Sequence, residues 1–541
     1  MHLYRQTMRR FATYLLILIA ILALFPLYSR YKLTAGPIPP GVLLGGLDLS
    51  NLKDPTEIRE HLERIYMDPI AVDFAGEQLV LRPSTLDFTL DVEQMMTEAS
   101  QYLDGPPFID IALREALGFT QQRRDVPVRF TLDADKLRAW LTTVATEHNR
   151  GPVPPRATPP IERRATSSDA LEDSSTSDTG LDSRPWRWVP GIPGYTLDAE
   201  NSIQPLITAL TSDQNRVAKL ALIETPSPLP AMADLALVLD SYLADFPGFA
   251  AVYVRDLQSG AEANVDADIA FSGMSTLKLA LAVPSMQQLN YERRTNPGTT
   301  ASEQLIDLAL GESDNQAANQ LLSQLGNGDT GAGARRFTDY MRTLGLVNTY
   351  MQSGFDEPQL PPLPTPGNQN SEWNTNPDAN LQTTPADMGR MLAAIYECSQ
   401  GKGALITIAP DPITPDECLH ILFYMSHNQF QDLVWGGLPQ PQEHWIVHKH
   451  GFTNETHGDV ALVWGPTGPY VIAIFLYQSG WLPWETSNGT MSTVSRITWD
   501  FFDLQSAQGV QSVGAPPQLQ PPPGYVAIGE YAPTLANPAG Q

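Results

Sequence analysis

Lysine is scarce in this chain of 541 residues: there are seven, within 34 basic side chains set against 60 acidic ones. A net charge of -26 with no clustered basic stretch argues against duplex nucleic acid as a partner, because phosphate binding needs grouped Lys and Arg. Cysteine is scarcer still, with only Cys398 and Cys418. An oxidising compartment would let them pair, but sequence alone does not distinguish a bridge from two separate thiols. Nor do they join a carboxylate set that would complete a zinc site around His448 and His450, so no metal and no cofactor is expected.

Long apolar runs are also few, and the first one stands out. Arg5, Arg9 and Arg10 precede an uncharged stretch from Phe11 to Ser29, about the length of a membrane-crossing helix. The excess of arginine before it predicts an inside N-terminus, with residues 1–32 as a signal anchor in the cell membrane and the bulk of the chain outside. Cleavage of the segment would make the protein secreted instead.

Residues 33–225 carry short alternating strands and amphipathic helices, as in "PIAVDFAGEQLVLRPSTLDFTLD" followed by "VEQMMTEASQYL", which predicts a smaller α+β module. Inside it, residues 154–185 are rich in Ser, Asp, Thr and Pro. That composition predicts a disordered insert, since burial cannot offset its ordering entropy. Trp186 and Trp188 at alternate strand positions suit packing better than sugar stacking. A Pro-rich link, 226–235, leads to a larger domain, 236–505. There, strands at both ends with helices between predict one antiparallel sheet closed by the two chain ends, an α+β sandwich. The Pro- and Gly-rich tail, 506–541, is expected to be disordered.

Within the large domain, "FSGMSTLKLALAVPSM" places Ser275 at the start of an apolar helix and Lys278 three residues on, so the two share a face. A lysine kept from water loses its proton more readily and can act as a base toward a hydroxyl. The helix start adds unpaired N–H groups that favour developing negative charge. Two further clusters follow in order: "LALGESDNQAANQLL", with Ser313, Asp314 and Asn315, and "VHKHGF", with Lys449 and Gly451.

Ser-x-x-Lys, then Ser-Asp-Asn, then Lys-Thr-Gly is the order found in class A β-lactamases and penicillin-binding proteins, and residues 236–503 resemble that serine hydrolase family. "SDNQAANQLL" and "TTPADMGRML" are the most specific matches. The resemblance implies a β-lactamase/transpeptidase-like fold, a five-stranded antiparallel sheet flanked by helices. It implies Ser275 as acylated nucleophile, Lys278 as proton acceptor and Ser313 as relay to the leaving nitrogen. Asn315 would bind the substrate amide and Lys449 the substrate carboxylate, with the N–H groups of Ser275 and Phe452 as oxyanion hole. Upstream, "IPPGVLLGGLDLSNLKDPTEIREHLE" and "VPGIPGYTLDAENSIQPLITAL" resemble the peptidoglycan-binding-type domain that accompanies VanW-type proteins, which implies proximity to the cell wall.

Three departures bear on function. His450 stands where the family has Thr or Ser; it is larger and titrates near neutrality. Between Ser275 and Ser313 the chain is short, which predicts a more open site. Glu357-Pro358-Gln359-Leu360 matches the family's Glu-Pro-x-Leu-Asn loop except that Pro361 replaces Asn, making Glu357 the candidate base for deacylating water. The expected reaction is acyl-enzyme hydrolysis of a β-lactam amide. The alternatives are a D-alanyl-D-alanine carboxypeptidase or transpeptidase on peptidoglycan stem peptides, or a silent wall-binding, penicillin-sensing protein.

Overall fold

A computed structural model describes residues 8, 10–19, 21–22, 25, 36–39, 41–103, 123–158, 186–295, 301–369, 373–408, 412–428, 430–523 and 525. Among these, no helix is long and apolar enough to cross a membrane. The expected single-pass anchor and membrane localisation are corrected accordingly; part of that segment lies outside the described residues.

The chain divides into two compact units, Met1–Val153 with Ile192–Ser227, and Pro154–Gly191 with Pro228–Gln541. In the first, Ile70–Phe74 pairs antiparallel with Glu77–Leu81 and parallel with Val217–Lys219. "IAVDF" buries Ile70, Val72 and Phe74, the period of two expected of a half-buried strand. Helices Pro55–Tyr66, Ala134–His148 and Ala199–Leu210 start on Asp54, Asp133 and Asp198, whose carboxylates accept first-turn N–H groups. Their apolar faces close one core around Leu62, Leu141 and Leu206.

In the second unit, β1 (Phe249–Asp256), β2 (Glu262–Val265), β3 (Ile446–Phe452), β4 (Thr456–Gly465) and β5 (Gly468–Tyr477) form a sheet in the order β2-β1-β5-β4-β3, antiparallel throughout. Among its helices are α1 (Met232–Leu243), α2 (Leu277–Thr295), α3 (Ala301–Leu310), α4 (Asn315–Leu325), α5 (Pro385–Ser399), α6 (Pro415–Met425) and α7 (Trp484–Ala507). Ala251, Tyr253, Val471, Ala473 and Phe475 cluster with residues of α2 and α5. Val252, Val254, Ile472, Ile474 and Leu476 point the other way, into a core with α1 and α7. Because both faces are covered, β5 reads "VIAIFLY" rather than alternating with polar residues. α5 begins on Thr384, with Pro385 at its first position, and α6 on a Thr414/Glu417 capping box. Cys398 and Cys418 are bridged, which joins α5 to α6.

Two predicted disordered segments differ in part. Arg156–Thr158 pairs with Arg187–Val189, and this hairpin groups with the second unit rather than the N-terminal module. Trp188 packs on Phe501 and donates to the Ile497 carbonyl at 3.2 Å, while Trp186 meets Tyr242 edge-on, so both tryptophans are packing residues. The rest of the expected insert, 159–185, lies outside the described residues. The tail is not free from 506 onward. α7 runs to Ala507, Gln511 accepts from Gln258, and the Tyr525 hydroxyl donates to buried Asp307 at 2.8 Å. Proline-rich chain lacks the backbone donors for regular structure, yet it docks through the Gln511 carbonyl and the Tyr525 hydroxyl.

Candidate active site

Short strand Phe271–Ser272 ends where Gly273 donates to the Leu381 carbonyl at 2.6 Å. A 3₁₀ turn, Met274–Thr276, then carries Ser275 into α2. Met274 sits at φ 51°, a left-handed conformation that costs a non-glycine residue on the order of 1 kcal/mol. One turn into α2, Lys278 is only 1% exposed. Its ammonium donates to Ser275 Oγ at 2.9 Å, Asn315 Oδ1 at 2.6 Å and the Ser313 carbonyl at 2.5 Å. The Phe355 ring centroid lies 4.6 Å from the same nitrogen. Burial lowers the Lys278 pKa to about 8, with Asp314 and Asp356 opposing.

The second cluster is held by a helix cap. Asp314 accepts from the Ala317 N–H at 2.6 Å, which fixes the start of α4 and leaves Ser313 and Asn315 on either side of the cap. Ser313 adopts φ 60°. Its carbonyl meets Lys278, and its hydroxyl accepts from Lys449 Nζ at 2.9 Å. Lys449 is fully buried on β3, and its pKa falls to about 7 through burial and the Lys278 charge. Two ammonium groups sharing one serine in a dry site disfavour double protonation.

Gly451 lets β3 lie against the turn that carries Ser275. A Cβ there would stand 2.8 Å from both Ser275 N and Met274 Cβ. Phe452, 60% exposed, follows on the rim. His450 stacks on Phe430, centroids 4.3 Å apart, and lies parallel to Phe452 at 6.3 Å. Asn428 sets its tautomer: Asn428 Oδ1 accepts from the Phe430 N–H, so Nδ2 is the atom 3.3 Å from His450 Nδ1. That ring nitrogen must accept, leaving the proton on Nε2. Burial and Lys449 push its pKa down to about 3, so the expected titration near neutrality does not hold. His448 places Nδ1 3.0 Å from Asp459 and Nε2 2.9 Å from the Phe430 carbonyl. Among the described residues no three His, Cys, Asp or Glu side chains gather to hold a metal.

The cleft holds ≈ 460 Å³ and is lined by Ser275, Asn315, Phe355, Asp356, Glu357 and Phe452, among others. Glu357 is exposed and makes no hydrogen bond with a described residue. Its neighbour does: Asp356, at φ 63°, accepts from Asn315 Nδ2 at 2.8 Å. Asn319, one turn after Asn315 on α4, clamps Phe355 through both its N–H, at 2.7 Å, and its carbonyl, at 3.0 Å. Ser275, Lys278, Ser313, Asn315, Lys449 and Gly451 thus converge as their motifs suggest. Phe355, Asp356, Asn319 and Asn428 were not singled out from sequence. The only hint was i, i+4 asparagines on one helix face.

Residues 234–502 match the profile of the Beta-lactamase enzyme family. β-Lactamases of Mycobacterium tuberculosis (strain ATCC 25618 / H37Rv) and Mycobacterium bovis (strain ATCC BAA-935 / AF2122/97) are 27% identical over 276 residues, covering 47% of this chain and 80% of each relative. Among solved structures, the last common ancestor of Gram-negative bacteria β-lactamase class A aligns with TM-score 0.38 and 23% identity, covering 49% of this chain and 98% of that one. PBP-A aligns with TM-score 0.39 and 21% identity, covering 51% and 98%. The family match begins at residue 234 and lends no support to the VanW-type resemblance upstream. Residues 234–502 are thus similar to the Beta-lactamase enzyme family and to curated β-lactamases.

Proposed function

We propose that the second unit is a serine hydrolase that opens a β-lactam amide by acylating Ser275 and then hydrolysing the acyl-enzyme. The observation that carries this reading is the double lysine arrangement, with Lys278 on Ser275 Oγ and Lys449 on Ser313 Oγ, each at 2.9 Å. Neutral Lys278 takes the Ser275 proton as Oγ attacks the carbonyl, a general-base contribution of roughly 10²–10⁴ in rate. The N–H groups of Ser275 and Phe452 receive the oxyanion, a term worth on the order of 10²–10³ per donor. Ser313 passes a proton to the departing nitrogen and is resupplied through the two lysines that bond it. Lys449 and His450 Nε2–H face the substrate carboxylate, Asn315 the substrate amide. No cofactor enters these steps.

Intact-mass measurement after brief exposure to benzylpenicillin tests the nucleophile. The parent protein should gain one acyl group, and Ser275→Ala should gain none; a labelled Ser275→Ala protein would refute the assignment. A D-alanyl-D-alanine carboxypeptidase or transpeptidase acting on peptidoglycan stems is the second reading, favoured by the exposed position of Glu357 and by its making no hydrogen bond with a described residue. An adduct that persists for hours, with no steady hydrolysis of a chromogenic cephalosporin, would select it.

A further inference from the structure

The geometry points to Asp356, and not Glu357, as the carboxylate that activates water for deacylation; this rests on the acyl-enzyme reading above. Four observations converge on it. Both acids border the cleft that holds Ser275, but only Asp356 is tied to the catalytic cluster, through Asn315 Nδ2 at 2.8 Å. The orientation of that amide is fixed from its other end, because Asn315 Oδ1 accepts from Lys278 Nζ at 2.6 Å. A continuous chain therefore runs from Asp356 through Asn315 to Lys278 and Ser275. Second, the loop is held at the residue just before it: Asn319 binds both backbone polar groups of Phe355, and the Phe355 ring packs at Lys278. Third, a Cβ on Gly354 would stand 2.5 Å from Asn319 Oδ1, so glycine allows the loop this close to α4. Fourth, Asp356 acts electrostatically on Lys278, whereas Glu357 has no resolved influence there.

The motif places glutamate before proline, yet the left-handed backbone at 356 presents the preceding aspartate to Asn315. In the step assigned to it, a water oxygen forms the new C–O bond at the acyl carbonyl carbon and gives its proton to the Asp356 carboxylate. The carbonyl π pair moves onto the oxygen facing the Ser275 and Phe452 N–H groups. Collapse breaks the bond from that carbon to Ser275 Oγ. Asp356 gives up the proton it took from water, which passes by way of Lys278 to Oγ, so that carboxylate, amine and serine hydroxyl are restored as the carboxylic acid product leaves.

Asp356→Asn separates basicity from positioning, since the amide oxygen still accepts from Asn315 but no longer takes a proton. Time-resolved intact mass with a cephalosporin gives acylation and deacylation rates separately. Asp356→Asn should acylate at close to the parent rate and deacylate about 10²-fold more slowly or worse, so that the adduct accumulates, while Asp356→Glu should restore turnover. Glu357→Gln should turn over as the parent does. Deacylation at the parent rate in Asp356→Asn, an equal slowing of acylation and deacylation, or adduct accumulation in Glu357→Gln would overturn the assignment to Asp356 and leave Ser275 acylation intact. A parent protein that takes no label counts against the acylation reading itself.

Discussion

At the scale of single residues, the site is governed by which of two buried lysines holds a proton. In the proposed acylation the working form of Lys278 is the free amine, which grows as pH rises through about 8. The carboxylate-holding form of Lys449 is the ammonium, which is lost as pH rises through about 7. Acylation, measured as kcat/KM, should therefore peak between about pH 7 and 8 and fall on both sides. Lys449→Met should remove the alkaline limb while raising KM. His450, with its pKa down at about 3, stays neutral through that range, so His450→Thr should leave the acid limb where it was. A limb near pH 6.5 that vanished in His450→Thr would contradict the neutral Nε2–H tautomer. Much of this was legible in sequence: Ser275, Lys278, Ser313, Asn315 and Lys449 are named by residue type and order alone. Asp356 and Asn428 were not. One depends on a left-handed backbone angle and the other on a stack between chain segments, and neither leaves a pattern in residue types.

At the scale of elements, two features make sharp tests. The Cys398–Cys418 bridge closes a loop spanning a sequence separation of 20, for which loop entropy corresponds to about 3 kcal/mol. Replacing both cysteines with alanine should lower unfolding stability by about that much in urea titration, with acylation retained, since α5 and α6 contribute no proposed catalytic side chain. Gly451→Ala should do the reverse. Its Cβ would press on backbone atoms of the turn that carries Ser275 at 2.8–3.0 Å, and a backbone neighbour cannot swing aside as a long side chain can. Acylation should fall by about tenfold or more, with a change in melting temperature of only a few degrees. Helix starts lie on caps, since Asp54, Asp133, Asp198, Asp314, Thr384 and Thr414 all precede helices. The hairpin of Arg156–Thr158 with Arg187–Val189 was not readable, because composition flagged the segment between as uniformly polar and pairing across it is a tertiary fact.

At the scale of the whole molecule, the chain divides into two units, with Pro154–Gly191 in the second, and composition misjudged what happens at the ends of the chain. An apolar N-terminal run proved a weak guide, with no described helix suited to a bilayer. The proline-rich tail ends its described course in a specific contact. Tyr525 donates to Asp307, which is 1% exposed and also paired with His427 at 2.7 Å. Tyr525→Phe should therefore cost about 1.5–3 kcal/mol, the range for a hydrogen bond to a charged partner; an unchanged melting temperature would show that the tail is not part of the domain's stability. The sheet carries a further consequence, one of timing. Phe249 at the start of β1 faces Tyr477 at the end of β5, so nearly the entire domain must be translated before its central strands can meet. At roughly 5–20 residues per second, nascent β1 waits on the ribosome for on the order of 10–40 s with one edge bare, which makes newly made chain, rather than finished protein, the stage most exposed to aggregation and to chaperone capture.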